Sequence, residues 1–187
     1  MELSELHRRA VDGWRTRCDG VAADQWQDAT PCTDWDVGTL VNHVVGEELW
    51  TVPLVEGATI AEVGDRFDGD VLGEDPPGVA RRASSAAVDA VDQRLPRGEI
   101  VHLSFGDVPV EEYVWQLTAD HLIHAWDLAA ATGQSRQLDA EVVAGVAAWF
   151  ADREAMYRDA GAIGPRVEAP DDPQSQLLAG FGRDPGW

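Results

Sequence analysis

The chain has 187 residues, with 34 acidic and 14 basic side chains and a formal charge of −20 at pH 7. An acidic surface repels phosphate backbones and anionic lipid headgroups, so we expect neither a nucleic-acid partner nor a membrane partner. The length suits a single domain over residues 1–187, and two cysteines, Cys18 and Cys32, are too few for a disulfide framework and typical of the reducing cytoplasm.

Helical spacing of apolar residues governs the first part of the chain. It predicts an amphipathic helix over residues 3–18, ending at the Asp-Gly pair that follows. A second helix is predicted from about 35 to 50, with Thr33 and Asp36 as a weak capping box and Pro53 marking its end.

The middle of the chain combines a loop, a helix and a short extended segment. Residues 57–78 are rich in glycine, aspartate and proline and are expected to form a long ordered loop or lid. An alanine-rich third helix is predicted over residues 79–95, ending before Pro96. Gly106 and Asp107 then give a turn signal between short alternating stretches, which indicates a small hairpin or an extended loop.

Two further helices complete the predicted architecture. Pro109 is expected to open the fourth helix and Gly133 to close it. A fifth helix is predicted over residues 139–158, and one short helix around Leu177 lies in a tail broken by prolines. Four or five helices with long connections predict an all-α protein whose default architecture is a helical bundle.

The predicted fourth helix carries polar residues within an otherwise apolar sequence. Asp120 and His124 are four residues apart and share one face, where a carboxylate and an imidazole can converge on one ion. His121 is rotated by about 100° from Asp120, although His121 and His124 form a competing pair. Asp127, three residues beyond His124, is placed to orient that ring.

The predicted second helix supplies another histidine in an apolar setting, His43. Alone, it would be interpreted as a hydrogen-bonded core residue. Inward side chains of different helices meet in a bundle, however, so His43, Asp120 and His124 would give three ligands and an open fourth position. Glu47, one turn after His43, is a further ligand, a neighbour of the ligands or a solvated charge. Spacing alone leaves open both a metal site and a polar core that only fixes packing.

Other chemically reactive residues are less informative. Cys32 lies in a proline-flanked loop just before the second helix, a setting that can activate a thiol, but a structural role is favoured for Cys32 and Cys18 alike. His7 and His102 have no acidic partner at useful spacing and are expected to be exposed or structural. No P-loop, GxSxG or GxGxxG motif is present.

Four motifs in a fixed order resemble those of a known family. They are TPCTDWDVGTLVNHVVGEELW, GDRFDGDVLGEDP, DHLIHAWDLAAATG and the terminal FGRDPGW, and the resemblance covers essentially the whole chain. The chain resembles an actinobacterial family of metal-binding proteins in the DinB/YfiT-like superfamily, similar to the N-terminal domain of mycothiol-dependent maleylpyruvate isomerase. This resemblance implies a DinB-like four-helix bundle with a divalent metal in its core.

The resemblance also implies a ligand set. The isomerase holds its metal with a histidine of the second helix and a Glu-x-x-x-His pair of a later helix, which fall here on His43 and on Asp120 and His124. Aspartate in place of glutamate shortens the arm by one methylene and keeps the charge. His121 is then a neighbour and not a ligand, and two nitrogens with one oxygen favour zinc.

The function that the resemblance implies is metal-dependent thiol chemistry. The isomerase has a further C-terminal domain that helps to bind its substrate and that this chain is too short to hold, so isomerisation of maleylpyruvate itself is not favoured. We expect a mycothiol S-transferase or isomerase acting on a small electrophile, with residues 57–78 shaping the substrate entrance. The alternative is a non-catalytic metal- or small-molecule-binding bundle. The sequence leaves open whether the protein forms a homodimer.

Overall fold

The computed structural model describes residues 1–187, and most of its secondary structure is helical. The α-helices are α1 (Leu3–Asp19), α2 (Val37–Val55), α3 (Ile60–Val63), α4 (Pro76–Arg94), α5 (Val110–Thr132), α6 (Ala140–Phe150), α7 (Glu154–Asp159) and α8 (Pro173–Gly180). A short 3-10 helix (Leu95–Arg97) follows α4, and strands β1 (Ile100–Leu103) and β2 (Gly106–Pro109) form one antiparallel hairpin before α5. None of the helices combines the length and apolar character that crossing a membrane requires.

The four longest helices pack against one another. α1 contacts α4 and α5, and α2 contacts the same two helices, so each long helix has two of the others as neighbours. α6 packs against α1, α5 and α8. The buried faces of these helices share one apolar core, which includes the fully buried Trp14, Leu40 and Leu128. Burial of this apolar surface provides the main stabilisation of the fold.

Helix α2 differs from its prediction at both ends. Its N-cap is Asp36, whose side chain accepts a hydrogen bond from the backbone N–H of Thr39 at 2.8 Å. The predicted capping box between Thr33 and Asp36 is therefore wrong, because Asp36 is itself the cap. The helix also continues past Pro53, although proline removes one helical hydrogen bond. The final turn persists because Leu54 is buried in a second apolar cluster with the hairpin and α5.

The hairpin is confirmed, but its turn is not where the sequence predicted it. Leu103 pairs with Gly106, so the turn lies at residues 104–105, and both Gly106 and Asp107 belong to β2. Gly106 leaves the turn with φ 134°, which a residue without Cβ adopts easily. Helix α5 follows directly and ends, as predicted, at Gly133 in the left-handed conformation.

The predicted single helix over residues 139–158 is wrong, because the chain turns between α6 and α7. The backbone N–H of Arg153 donates to the carbonyl of Phe150 at 2.8 Å within this turn. The turn folds α7 back, so that Tyr157 lies edge-on to Trp149 with ring centroids 5.8 Å apart. Aromatic packing thus accounts for a break at which the sequence carries neither glycine nor proline. The short helix predicted in the tail is α8.

Residues 57–75 form an ordered loop, as predicted, that contains α3, and residues 76–78 are already the first turn of α4. A capping box starts α3, since Thr59 and Glu62 each accept a hydrogen bond from the backbone N–H of the other. Asn42 of α2 holds the rest of the loop: its Nδ2 donates to the carbonyl of Gly69, and its Oδ1 accepts from the N–H of Val71, both at 2.9 Å.

Candidate metal centre

The side chains of His43, Asp120 and His124 meet where α2 faces α5. Their ligand atoms all lie within 4.8 Å of one another. His124 Nε2 is 3.3 Å from Asp120 Oδ1, and His43 Nε2 is 3.8 Å from Asp120 Oδ2. The one-turn spacing on α5 puts Asp120 and His124 on the same face, and α2 brings His43 to them. The structure therefore brings together the three residues singled out in the sequence.

The surroundings of the Asp120 carboxylate favour a bound cation. Its Oδ2 atom is buried and has no hydrogen-bond partner, an arrangement that is costly unless a positive charge balances it. Burial raises the pKa of Asp120, but His124 and His43 outweigh burial and hold that pKa well below its ordinary value. Burial likewise lowers the pKa of His124, and Asp120 and Asp127 more than reverse this effect. Two imidazole nitrogens with one carboxylate oxygen are donors that fit a divalent ion such as zinc.

The other edge of the His124 ring faces Asp127. His124 Nδ1 lies 3.0 Å from Asp127 Oδ2, and an ionised carboxylate only accepts, so Nδ1 carries the proton. In the neutral ring the lone pair is then on Nε2, the atom that faces Asp120. Arg183 fixes Asp127 in turn, since its Nε donates to Oδ1 and its Nη2 to Oδ2, both at 3.0 Å. Asp127 is thus placed to orient His124, as its spacing predicts.

Cys32 also belongs to this group, which the sequence reasoning missed. Its Sγ donates to Asp127 Oδ2 at 3.2 Å, accepts from Arg183 Nη2 at 3.2 Å and lies 3.8 Å from His124 Nδ1. Cys32, His124 and Asp127 form a second set of potential ligands within 4.8 Å of one another. The purely structural role predicted for Cys32 is therefore too narrow. Its presence in TPCTDW, and that of Arg183 in FGRDPGW, was the only signal in the sequence.

A cavity of about 240 Å³ opens beside Asp120 and His124. Most of its wall is apolar or aromatic: Tyr113, Leu117, Ala119, Ile123, Trp149, Tyr157, Ala162, Ile163 and Phe181. Glu47 and Gln116 are polar members of the wall, and burial together with Asp120 raises the pKa of Glu47. A mostly apolar lining with a few polar groups is typical of a small-molecule site, and the volume favours a compact ligand.

A second depression reaches the same residues from another side. Its lining is mostly polar and includes Thr33 and Arg183 as well as the three converging residues. Trp35 forms part of this wall, with its ring centroid 4.9 Å from that of His43 and 6.1 Å from that of His124. No residue of the 57–78 loop lines either space, so the predicted role of that loop at the entrance is wrong.

A different polar group lies on neighbouring faces of α2 and α5. Glu48 Oε1 accepts from Ser84 Oγ at 2.5 Å and lies 3.1 Å from His121 Nε2. His121 Nδ1 lies 2.7 Å from the carbonyl of Leu117, to which it donates. Both ring nitrogens of His121 therefore have partners, and His121 is not among the converging ligands. We call Glu48, Ser84, His121 and the adjacent His7 the sealed group.

Of the two remaining histidines, His7 has the structural role that was one of the two predicted, and only His102 departs from its prediction. His7 is buried, packs edge-on to His121 at 5.7 Å, and has its pKa lowered by burial to about 3. His102 does have an acidic partner, because the hairpin places it opposite Asp107, with Nδ1 2.7 Å from Oδ1. Cross-strand pairing creates a contact that sequence spacing hides.

Known proteins match this chain over most of its length. The family described as mycothiol maleylpyruvate isomerase N-terminal domain matches residues 7–129, which include His43, Asp120 and His124. Two relatives from different strains of Mycobacterium tuberculosis, the uncharacterized proteins MT0763 and Rv0738, are each 34% identical over 179 residues. Each alignment covers 92% of this chain and 86% of the relative.

A solved structure shares the fold. The crystal structure of a mutant of the mycothiol-dependent maleylpyruvate isomerase matches with a TM-score of 0.60 and 16% sequence identity. The match covers 94% of this chain and 78% of that one. At this identity the likeness establishes the fold.

Proposed function

Because the chain belongs to the mycothiol maleylpyruvate isomerase N-terminal domain family, we propose that it is a divalent-metal-dependent enzyme. It would bring mycothiol to a small electrophile, as an S-transferase or an isomerase. One observation carries this proposal: His43, Asp120 and His124 converge beside a mostly apolar cavity, and a carboxylate oxygen of Asp120 is buried there without a partner.

The three converging side chains would hold the ion through the Nε2 atoms of His43 and His124 and the carboxylate of Asp120. This donor set suits zinc, and three protein ligands leave a position for a thiol. Zinc would supply one chemical function here, since a thiol that it coordinates loses its proton near neutral pH.

The other residues of the site prepare these ligands. Asp127 accepts the Nδ1 proton of His124 and so keeps Nε2 available, while Arg183 balances the charge of Asp127. Trp35 packs against both imidazole rings and restricts their orientation. Glu47 lines the cavity wall, where its carboxyl group would be available to contact the electrophile.

Observations outside the candidate metal centre support the proposed bundle, the single domain and the cellular location. The mutual contacts of α1, α2, α4 and α5 support a DinB-like four-helix bundle, and the core that these helices share with α6 and α8 supports one domain over residues 1–187. Both cysteines are free, which supports a cytoplasmic location.

The direct test is mycothiol-dependent consumption of an electrophile by the zinc-loaded protein. We expect His124→Ala to lose both zinc and activity. His102→Ala removes an imidazole from the hairpin that lines neither the cavity nor the polar depression, and should retain both. Loss of zinc from His124→Ala without loss of activity would contradict the proposal. Zinc and mycothiol binding without turnover of any electrophile would favour the non-catalytic alternative.

A further inference from the structure

Arg183 is the one arginine that lines the cavity and the polar depression, and contacts within the protein already neutralise its positive charge. Its Nε and Nη2 donate to the two oxygens of Asp127, and Nη2 also donates to Cys32 Sγ. Nη1 donates to the carbonyl of Phe181 at 3.2 Å. All three guanidinium nitrogens therefore have protein acceptors, and a buried carboxylate neutralises the group.

The other charges near the cavity are negative or paired. Glu47 and Asp120 line the wall. Arg153, which lies over the Trp149 ring, donates to the two carboxylate oxygens of Glu112 at 3.2 and 3.1 Å. A divalent ion, the Asp120 carboxylate and a bound thiolate sum to zero formal charge. No positive charge therefore remains for an anionic substrate, and the strongly acidic chain repels anions at longer range.

The far wall of the cavity is aromatic and held in place. Trp149 Nε1 donates to Glu112 at 3.1 Å, and Phe181 stacks on Phe150 with centroids 4.1 Å apart. Tyr157 packs edge-on against Trp149. A carboxylate that leaves water for such a wall has no partner and loses its hydration, whereas an ester or a ring gains from the contact.

We propose that the cavity takes an uncharged, compact electrophile with an apolar body, such as an α,β-unsaturated diester, and excludes dicarboxylates. This proposal rests on the proposed function. In the addition, the thiol sulfur forms a bond to the β-carbon and the electron pair of the C=C bond moves to the α-carbon. That carbon then takes up the proton that the thiol lost. The S–H group adds across the double bond, with no other reactant or product.

Dimethyl maleate and maleate test the proposal, because they share a skeleton and differ in charge. Each is reacted with mycothiol and the zinc-loaded protein, and kcat/KM is divided by the rate constant of the uncatalysed reaction of the same pair. We expect an enhancement at least about 100-fold greater for the diester, given the cost of burying an unpaired charge. Equal enhancement, or a greater one for maleate, would overturn the proposal.

Two variants of equal charge sharpen the test. Ile163→Arg puts a cation on the cavity wall, whereas Ala144→Arg puts it on an exposed position of α6 outside the cavity. Ile163→Arg should raise the enhancement for maleate about tenfold, which is the contribution expected from one charged hydrogen bond. The same variant should lower the enhancement for the diester. Ala144→Arg should change neither. An equal response of both variants would contradict a role for the cavity charge.

A binding measurement separates this inference from the proposed function. Dimethyl succinate and succinate cannot react, and their binding to the zinc-loaded protein with mycothiol present can be followed by ligand-observed NMR. Preference for dimethyl succinate with no turnover of dimethyl maleate would support the cavity preference while the proposed enzyme activity fails. Preference for succinate would overturn the cavity preference whatever the activity.

Discussion

Two polar groups lie on neighbouring faces of the same two helices, one open and one sealed. In the candidate metal centre, the side chains of His43 and Asp120 are 32% and 31% exposed. In the sealed group, those of His121 and Glu48 are 1% and 0% exposed. Asp120 and His121 are adjacent in sequence, so a rotation of one residue along α5 separates a group that solvent can reach from one that it cannot.

The difference shows what each group can do. Each contains a carboxylate oxygen without a partner, Asp120 Oδ2 and Glu48 Oε2. Only Asp120 lies among further ligand atoms beside a cavity, so only that group can take and exchange a ligand. The sealed group uses its hydrogen bonds within the chain and fixes how α2, α4 and α5 pack.

The largest effect expected is on stability, from Glu48→Ala. Burial lowers the pKa of His121, but the hydrogen bond and charge of Glu48 raise it above its ordinary value, so removing Glu48 takes the partner of both His121 and Ser84 out of the core. We expect a loss of about 3–5 kcal/mol in the free energy of unfolding, measured with urea. Glu47→Ala, at the neighbouring residue on the cavity wall, should cost far less. Equal losses of stability in the two variants would contradict the distinction between the sealed group and the candidate metal centre.

The sealed group also predicts a pH dependence through His7. Its pKa is lowered to about 3 in the folded protein, while an unfolded histidine titrates near 6.5. The unfolded state therefore binds a proton first, and stability that is complete above pH 6.5 falls as the pH decreases. Between pH 6.5 and pH 5 the loss is about 2 kcal/mol. In His7→Leu this part of the slope should vanish, and stability profiles of the two proteins that run parallel would refute the assignment.

At the open group, Asp127→Asn should weaken zinc binding by about 10–100-fold, because the variant no longer accepts the His124 Nδ1 proton as a carboxylate. Competition with a chelator measures the affinity. Asp107→Asn makes the same change beside His102 on the hairpin and should leave the affinity unaltered. A matching loss in both variants would point to a general effect of charge.

The smallest effect expected is on the stability of the metal-free protein in His43→Ala. A half-buried side chain without a hydrogen-bond partner contributes below about 1 kcal/mol, which urea unfolding with chelator present will measure. A loss as great as that of Glu48→Ala would mean that the open group also serves to hold the helices together.

The sequence predicted those features that arise from local periodicity and capping. The four long helices, the end of α5 at Gly133 and the common face of Asp120 and His124 follow from helical spacing. The break after Phe150 and the extension past Pro53 depend on packing between distant segments, which periodicity does not describe.

For the candidate site, too, the sequence predicted the residues that follow a local pattern and missed those that only the fold brings together. His43, Asp120 and His124 follow from spacing combined with resemblance. Cys32 and Arg183 join Asp127 across 95 and 56 residues of sequence, so only the folded chain reveals their contact.

The most direct test of the central claim is anomalous diffraction at the zinc edge from crystals of the zinc-loaded protein. The structure offers two overlapping ligand sets that share His124, so the position of the ion is decisive. We predict one peak at about 2.0–2.2 Å from His43 Nε2, His124 Nε2 and a carboxylate oxygen of Asp120. A peak between Cys32 Sγ, His124 Nδ1 and Asp127, or no zinc peak at all, would contradict it.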